Sequence, residues 1–311
     1  MPAYRIVESI HIDAPPQRVF DTVVDFNTWT TWSPWLICEP EARVTVSEDS
    51  KSVGSKYEWL GDLTGQGQVI HKKIEPGRSF TDELTFLKPF KAVCSTAYQV
   101  EPEAGGCKLT WTMDGSMPWF LFFMVPTMKT ILSMDFRRGL AMIKDWVETG
   151  AIASDSTVHG VEMVPALRMA GIAADCAVED AGAATQQAMD EAHRAFQQAG
   201  LSTSGKPLTV YTKFRVAQGR FHFISGYEIG ANDAVDSRGP LRVWSTPATK
   251  AFRVEHVGSY RHLGNAWAIA NGKARHMKLK QCATGTFEIY RNAPGQVPEE
   301  ALRTDIYLPL K

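Results

Sequence analysis

The feature of this sequence that most limits its fold is a change of hydrophobic period within the first half of the chain. Between residues 42 and 116, five strand-like segments follow one another, separated by turn clusters of Gly, Pro or Asp. From about Lys129 to Glu148, apolar residues instead recur at steps of three and four, which indicates one long amphipathic helix. Strands joined by short turns pair as antiparallel neighbours. We therefore expect an antiparallel sheet followed by a long closing helix.

The residues before these strands predict a first strand, a short helix opened by Pro15 and a segment rich in tryptophan. This order, with the opening IHIDAPPQRVFDTVVDFNTWTTWSPW and the closing FRRGLAMIKDWVE, resembles the helix-grip fold of the SRPBCC superfamily, in particular its polyketide cyclase/dehydrase-like, START-type branch. The resemblance covers residues 1–150. It implies an apolar cavity between sheet and helix, and therefore a hydrophobic ligand. Four polar residues of the strand segments are candidates for orienting it: His71, Glu83, Tyr98 and Asp114.

The second half of the chain contains a weak internal repeat after a linker near residues 150–160. One repeat has a strand near 158–165, a further apolar segment, a helix and two strands. The other has a strand near 249–257, a helix from about Arg261 to Gln281 and two strands. Each reads as strand, helix, strand, strand, a βαββ unit. The fold class that we predict for the whole chain is therefore α+β.

A duplicated βαββ unit with this ending resembles the GyrI-like domain, the effector-binding domain of AraC-type regulators. The resemblance covers residues 157–311 and rests on four elements in order: PLTVYTKF, EHVGSYRHLGNAW, the Phe-Glu-x-Tyr strand and the terminal TDIYLPL. The predicted domains are thus 1–150, of the SRPBCC helix-grip type, and 157–311, of the GyrI-like type.

Glu288 is the strongest candidate for a functional residue. It stands between Phe287 and Ile289 in a strand that should be central, so its carboxylate should enter the interior. A buried carboxylate must be paired, neutralised or reserved for a ligand. The resemblance implies the last, at the floor of an aromatic-lined pocket that attracts cationic, apolar ligands. The alternative is an ordinary salt bridge to Arg253 or Lys213.

Aromatic residues near the positions that face between the two repeats are the other ligand-binding candidates, because ring faces around an acid suit a delocalised cation. They are Tyr211, Tyr227, Trp244, Tyr260, Trp267 and Tyr290. The first hypothesis is a protein that binds a small molecule, an amphipathic or cationic aromatic ligand, around Glu288. The alternative, which the resemblance to the GyrI-like family implies, is a hydrolase of strained electrophilic rings in which Glu288 and Tyr290 are catalytic. A second alternative places cyclase or dehydratase activity in the N-terminal domain, so the sequence leaves an enzyme and a binder open.

Composition limits the partners. A formal net charge of -1 gives no basic footprint for nucleic acid. Five cysteines without a Cys-x-x-Cys pair indicate neither a metal nor a cofactor, and no signal peptide is recognisable, so we expect a cytoplasmic protein. The apolar segment MPWFLFFMVP, at 117–126, is too short to span a membrane. We interpret it as core or a pocket lid, with a dimer interface or lipid contact as the alternative.

Overall fold

The computed structural model describes residues 3–89 and 91–311 and divides the chain into two compact units, Met1–Ile152 and Ala153–Lys311. We call them the N-terminal unit and the C-terminal unit. Both are built on antiparallel sheets with helices, which confirms the α+β class. Among the described residues, the helices include none with the length and hydropathy needed to cross a membrane.

The N-terminal unit is a seven-stranded sheet in the order β1-β7-β6-β5-β4-β3-β2. Its strands are β1 (Ala3–Ile12), β2 (Arg43–Val46), β3 (Lys56–Leu60), β4 (Gln66–Glu75), β5 (Ser79–Lys88), β6 (Ala92–Glu103) and β7 (Gly106–Ser116). The helices are α1 (Pro16–Val24), α2 (Trp29–Trp32) and α3 (Val125–Thr149). Buried and partly buried residues alternate along β5 and β7, so one face of the sheet forms the core.

The long helix α3 packs on that face through Phe136, whose ring stacks on Trp111 with centroids 4.0 Å apart. Gly150 ends the helix in the left-handed conformation, at φ 77°, which glycine adopts without a steric penalty. The helix begins four residues before the predicted Lys129. The segment before it, Trp119–Met124, is a 3₁₀ helix with no buried residue. Our interpretation of this segment as core is therefore wrong, since Trp119 is 75% exposed.

The C-terminal unit is an eight-stranded sheet in the order β12-β9-β11-β10-β14-β15-β13-β8. Its strands are β8 (Ser154–Val164), β9 (Leu167–Ala177), β10 (Pro207–Arg215), β11 (Arg220–Glu228), β12 (Arg242–Thr246), β13 (Thr249–Gly258), β14 (Thr286–Tyr290) and β15 (Arg303–Pro309). Its helices are α4 (Ala181–Ala199) and α5 (Leu263–His276). The two repeats meet where β10 pairs with β14, in the middle of the sheet.

The repeats differ from the predicted ones in their first strand. The strand near 158–165 is β8, which pairs with β13 at the edge of the second repeat. In the first repeat, β9 takes the position that β13 has in the second, and β12 covers its outer edge. The strand that precedes each repeat, β8 or β12, therefore pairs within the other half of the sheet. Sequence order alone did not reveal this exchange, because β8 and β9 are both apolar and adjacent along the chain.

Candidate functional site

Glu288 lies at the centre of the C-terminal unit, on β14, directly opposite Thr209 of the neighbouring strand β10. Its side chain shares one face of the sheet with Thr209, and Phe287 and Ile289 pack into an apolar cluster on the opposite face. The residue is 1% exposed. Because side chains alternate along β14, Glu288 points to the face that carries α4 and α5, whereas Phe287 and Ile289 point to the other face.

Three aromatic side chains donate hydrogen bonds to the Glu288 carboxylate. The indole N–H of Trp267, from α5, and the hydroxyl of Tyr211, at 3.2 Å, donate to Oε1. The hydroxyl of Tyr290 lies 2.7 Å from Oε2. Both carboxylate oxygens are therefore held by neutral donors from three different elements, β10, β14 and α5. Such hydrogen bonds fix the orientation of the acid without neutralising its charge.

A line of hydroxyl groups continues from the carboxylate across the sheet. The Tyr290 hydroxyl is 2.9 Å from Oγ1 of Thr209, which in turn is 2.8 Å from Oγ of Ser225 on β11. Because Tyr290 has one proton and donates it to Glu288, its oxygen is left to accept from Thr209. Thr209 and Ser225 were not among the predicted residues. Their signal was present in PLTVYTKF, where Thr209 shares the period-two phase of Tyr211.

Aromatic rings surround these donors. The ring of Tyr211 meets Trp267 edge to face at 5.4 Å and also contacts Phe221 of β11 at 5.5 Å. Tyr260, which precedes α5, meets Tyr290 edge to face at 5.8 Å. Tyr211, Tyr260, Trp267 and Tyr290 each keep partial exposure to solvent. The buried carboxylate therefore lies beneath an aromatic surface that reaches solvent.

Burial controls the ionisation of this cluster. It raises the pKa of Glu288 above its ordinary value, an effect that the hydrogen bonds from Trp267, Tyr290 and Tyr211 only partly offset. Burial, reinforced by the charge of Glu288, raises the pKa of Tyr211 and of Tyr290 well above 10 and that of Tyr260 to about 12. The tyrosines therefore remain neutral donors throughout the physiological range.

Four of the six aromatic candidates thus lie at Glu288, and two lie elsewhere. Tyr227 is on the same face of the sheet but packs against Phe196 of α4, with centroids 5.2 Å apart. Trp244 lies on the opposite face, against Phe287, because it belongs to the apolar cluster there. The structure does not bring either ring to the carboxylate.

The salt bridge weighed as an alternative for Glu288 is not formed. Arg253 pairs with Asp305 and with Glu162, on the sheet face opposite to Glu288. Lys213 is exposed at an irregularity of β10. Within residues 3–89 and 91–311, the ion pairs of the protein include none to Glu288. Among these residues, Glu288 therefore has no basic partner.

We expect the substitution Glu288→Gln to change how stability depends on pH. The pKa of Glu288 is raised in the folded state, so the stabilising contribution of its protonated form is complete below the unfolded-state pKa and is lost as pH rises through the folded one. A glutamine side chain cannot ionise. The free energy of unfolding of the variant, relative to the native protein, should therefore increase in urea titrations as pH rises above about 4, the ordinary pKa of glutamate. The exposed substitution Glu300→Gln is the control, and a parallel pH dependence of the Glu288→Gln variant and the native protein would contradict the prediction.

The geometry defines two separate α+β units, and comparison with known proteins identifies the family of each. Residues 3–148 match the family model for polyketide cyclase / dehydrase and lipid transport proteins. Residues 159–311 match the family model for the GyrI-like small molecule binding domain. The chain is therefore a fusion of these two families, as the sequence resemblances predicted. Both families bind small molecules. No curated protein matches the chain.

Solved structures resemble parts of the chain at low identity. Protein CV1439 from Chromobacterium violaceum is 19% identical over 46% of this chain and 96% of its own, with a TM-score of 0.37. CalU16 from Micromonospora echinospora is 14% identical over 48% of this chain and 78% of its own, with a TM-score of 0.36. The C-terminal domain of EcmrR is 16% identical over 51% of this chain and 99% of its own, with a TM-score of 0.38.

Proposed function

We propose that this protein binds two kinds of small molecule: an amphipathic or cationic aromatic ligand at Glu288, and a hydrophobic ligand in the N-terminal unit. The proposal rests on the buried Glu288 carboxylate, whose donors are neutral aromatic groups and whose charge no basic side chain of the described residues compensates. An ionised, buried carboxylate without a counter-charge is costly. A cationic ligand supplies the positive charge that balances the carboxylate.

The surroundings of the acid favour a delocalised cation over a metal ion or a small ammonium. Four partly exposed aromatic residues, Tyr211, Tyr260, Trp267 and Tyr290, surround the acid. A cation on a ring face is attracted by the ring quadrupole. An aromatic cation gains this attraction together with apolar contact area. The full carboxylate charge directly beneath the rings then orients the ligand.

The experiment is a titration of the protein with rhodamine 6G, a cationic aromatic dye, followed by fluorescence anisotropy. We expect Glu288→Gln to weaken binding about 100-fold, because it removes the counter-charge but keeps the shape of the site. Binding of a neutral dye of similar size should change less than about threefold. Glu300→Gln, at an exposed position, should leave both affinities unchanged. Equal weakening of the cationic and neutral dyes, or no weakening, would refute the proposal.

A second candidate function is hydrolysis of a strained electrophilic ring. It is favoured by the Tyr290 hydroxyl, which lies 2.7 Å from the carboxylate and could protonate a leaving oxygen while Glu288 acts as base or nucleophile. The raised pKa of Tyr290 makes it a weak acid at neutral pH, so binding ranks first. Turnover of an epoxide-bearing aromatic compound that is lost in both Glu288→Gln and Tyr290→Phe would reverse this ranking.

A further inference from the structure

The core of the N-terminal unit contains a histidine–aspartate pair. His71, on β4, and Asp82, on β5, both point to the buried face of the sheet, and His71 Nδ1 lies 2.6 Å from Asp82 Oδ1. The other nitrogen of His71, Nε2, lies 2.9 Å from the carbonyl oxygen of Val24 at the end of α1. A carbonyl oxygen only accepts, so Nε2 carries a proton. The pair therefore holds Asp82 in one orientation, with Oδ1 engaged.

Three polar atoms near this pair are buried without a partner. Within residues 3–89 and 91–311, no hydrogen bond reaches Oδ2 of Asp82 or the hydroxyl oxygens of Tyr57 and Tyr98. These residues are 1%, 4% and 1% exposed, respectively. Leaving such a group unsatisfied costs about 1–3 kcal/mol, and buried polar groups of native proteins are seldom left so. Each of these three atoms therefore needs a polar partner that the described part of the protein does not supply.

The side chains around these atoms form one aromatic cluster. The ring of Trp29 lies 5.5 Å from Tyr57 and 6.0 Å from Tyr98. Phe80 stacks on Tyr98 at 4.7 Å and meets the imidazole of His71 at 5.2 Å. The charge of Asp82 also reaches the Tyr98 hydroxyl, because it adds to burial in raising the pKa of that phenol. An acceptor and two phenols thus share an apolar surrounding.

The hydrogen-bonding capacity of these three atoms matches a hydroxyl group of a ligand. Asp82 Oδ2 only accepts while the carboxyl is ionised or shares its proton with His71, and each tyrosine hydroxyl both donates and accepts. A ligand hydroxyl can donate to the carboxylate and accept from a phenol at the same time. The aromatic walls favour an aromatic skeleton for the rest of the molecule.

We propose that Asp82, Tyr57 and Tyr98 bind the hydroxyl group of an otherwise apolar aromatic ligand in the N-terminal unit. His71 is a positioning residue, since it holds Asp82 so that Oδ2 stays free. The inference rests on the proposed binding of a hydrophobic ligand in this unit and names the polar group of that ligand. It is separate from the Glu288 site, where the protein itself supplies donors to both carboxylate oxygens.

The other two polar candidates of the first domain do not contribute to this site. Glu83 pairs with Lys72 on the outer face of the sheet, and Asp114 pairs with Arg5 in an exposed position. Asp82 was not singled out from the sequence. The available signal was its position in SFTDELTF. Asp82 stands two residues after Phe80 and two before Leu84, so all three side chains share the buried face of β5.

The experiment compares two ligands of nearly equal shape, 2-naphthol and 2-methylnaphthalene, by quenching of the intrinsic tryptophan fluorescence. We expect the native protein to bind 2-naphthol about three- to tenfold more tightly, the equivalent of one or two buried hydrogen bonds. Asp82→Asn, Tyr57→Phe and Tyr98→Phe should each reduce this preference. Tyr4→Phe is the matched control, because the Tyr4 hydroxyl is buried in the same unit but partnered by Cys94 Sγ at 3.3 Å.

The two phenylalanine variants also separate a ligand role from a structural one. Each removes an unpartnered hydroxyl, so the thermal midpoint of the unliganded protein should stay level or rise while the preference for 2-naphthol falls. Equal affinity of the native protein for both compounds would overturn the inference and leave the proposed hydrophobic-ligand function standing. A preference that persists in all three variants would also overturn it. Binding of neither compound would overturn the inference together with the proposed function of this unit.

Discussion

Replacing Phe136 by alanine is expected to lower the free energy of unfolding of the N-terminal unit by about 3–5 kcal/mol, the largest effect that we predict for a single substitution. The Phe136 side chain is fully buried and joins the long helix α3 to the sheet. Its ring stacks on Trp111 at 4.0 Å and meets Trp35 edge to face at 6.3 Å. Alanine would leave a cavity that these rigid indoles cannot fill.

The matched control for this substitution is Phe122→Ala in the exposed 3₁₀ helix just before α3. Phe122 is 63% exposed, so its removal should change stability by less than about 0.5 kcal/mol. Near-ultraviolet circular dichroism in urea reports on the N-terminal unit, because most of the tryptophans lie there. Similar losses for the two variants would show that α3 is not anchored through Phe136.

Replacing Asp305 by asparagine should destabilise the C-terminal unit by about 3 kcal/mol, the second large effect. Asp305 is fully buried on β15 and forms ion pairs with Arg253, at 2.9 Å, and with Arg291. Asparagine fits the same space but carries no charge, so both guanidinium groups lose the Asp305 carboxylate and Arg253 keeps only its longer pair with Glu162. Arg253 and Arg291 are partly exposed, which places the loss at the lower end of the range for broken buried pairs.

The measurement is urea unfolding followed by far-ultraviolet circular dichroism, with Glu300→Gln as the exposed control. A second outcome distinguishes the two faces of the sheet. Because Asp305 and Glu288 lie on opposite faces, binding of rhodamine 6G under native conditions should be unchanged in Asp305→Asn. A loss of stability below about 1 kcal/mol would show that the Asp305 pairs contribute little.

Two buried acids on neighbouring strands of the C-terminal unit, Glu288 and Asp305, lie on opposite faces of the sheet and have different partners. Asp305, on β15, and Glu288, on β14, are both almost fully buried, yet only Asp305 is paired with arginine. The position of Arg253 made it a reasonable partner for Glu288 on the basis of sequence. Strand register sends its side chain to the other face. The carboxylate that lacks a basic partner is the one that we propose as a ligand site.

The sequence by itself determined the features that depend on local periodicity. The alternation of Phe287, Glu288 and Ile289 turns the acid away from its apolar neighbours, and Tyr290 follows at a spacing that returns to the same face. The change to a period of three and four predicted the long helix of the N-terminal unit. The order of these elements indicated the fold class. The sequence motifs, taken together with that order, indicated the family of each half.

Only the tertiary structure decided which side chains meet. Tyr211, Trp267 and Tyr290 reach Glu288 because β10 pairs with β14 and α5 packs over them, whereas Trp244 and Tyr227, equally plausible from sequence, pack elsewhere. The pairing of His71 with Asp82 likewise joins residues of two strands through their register. Contacts of this kind depend on strand order and helix packing between distant segments, and local periodicity contains no information about either.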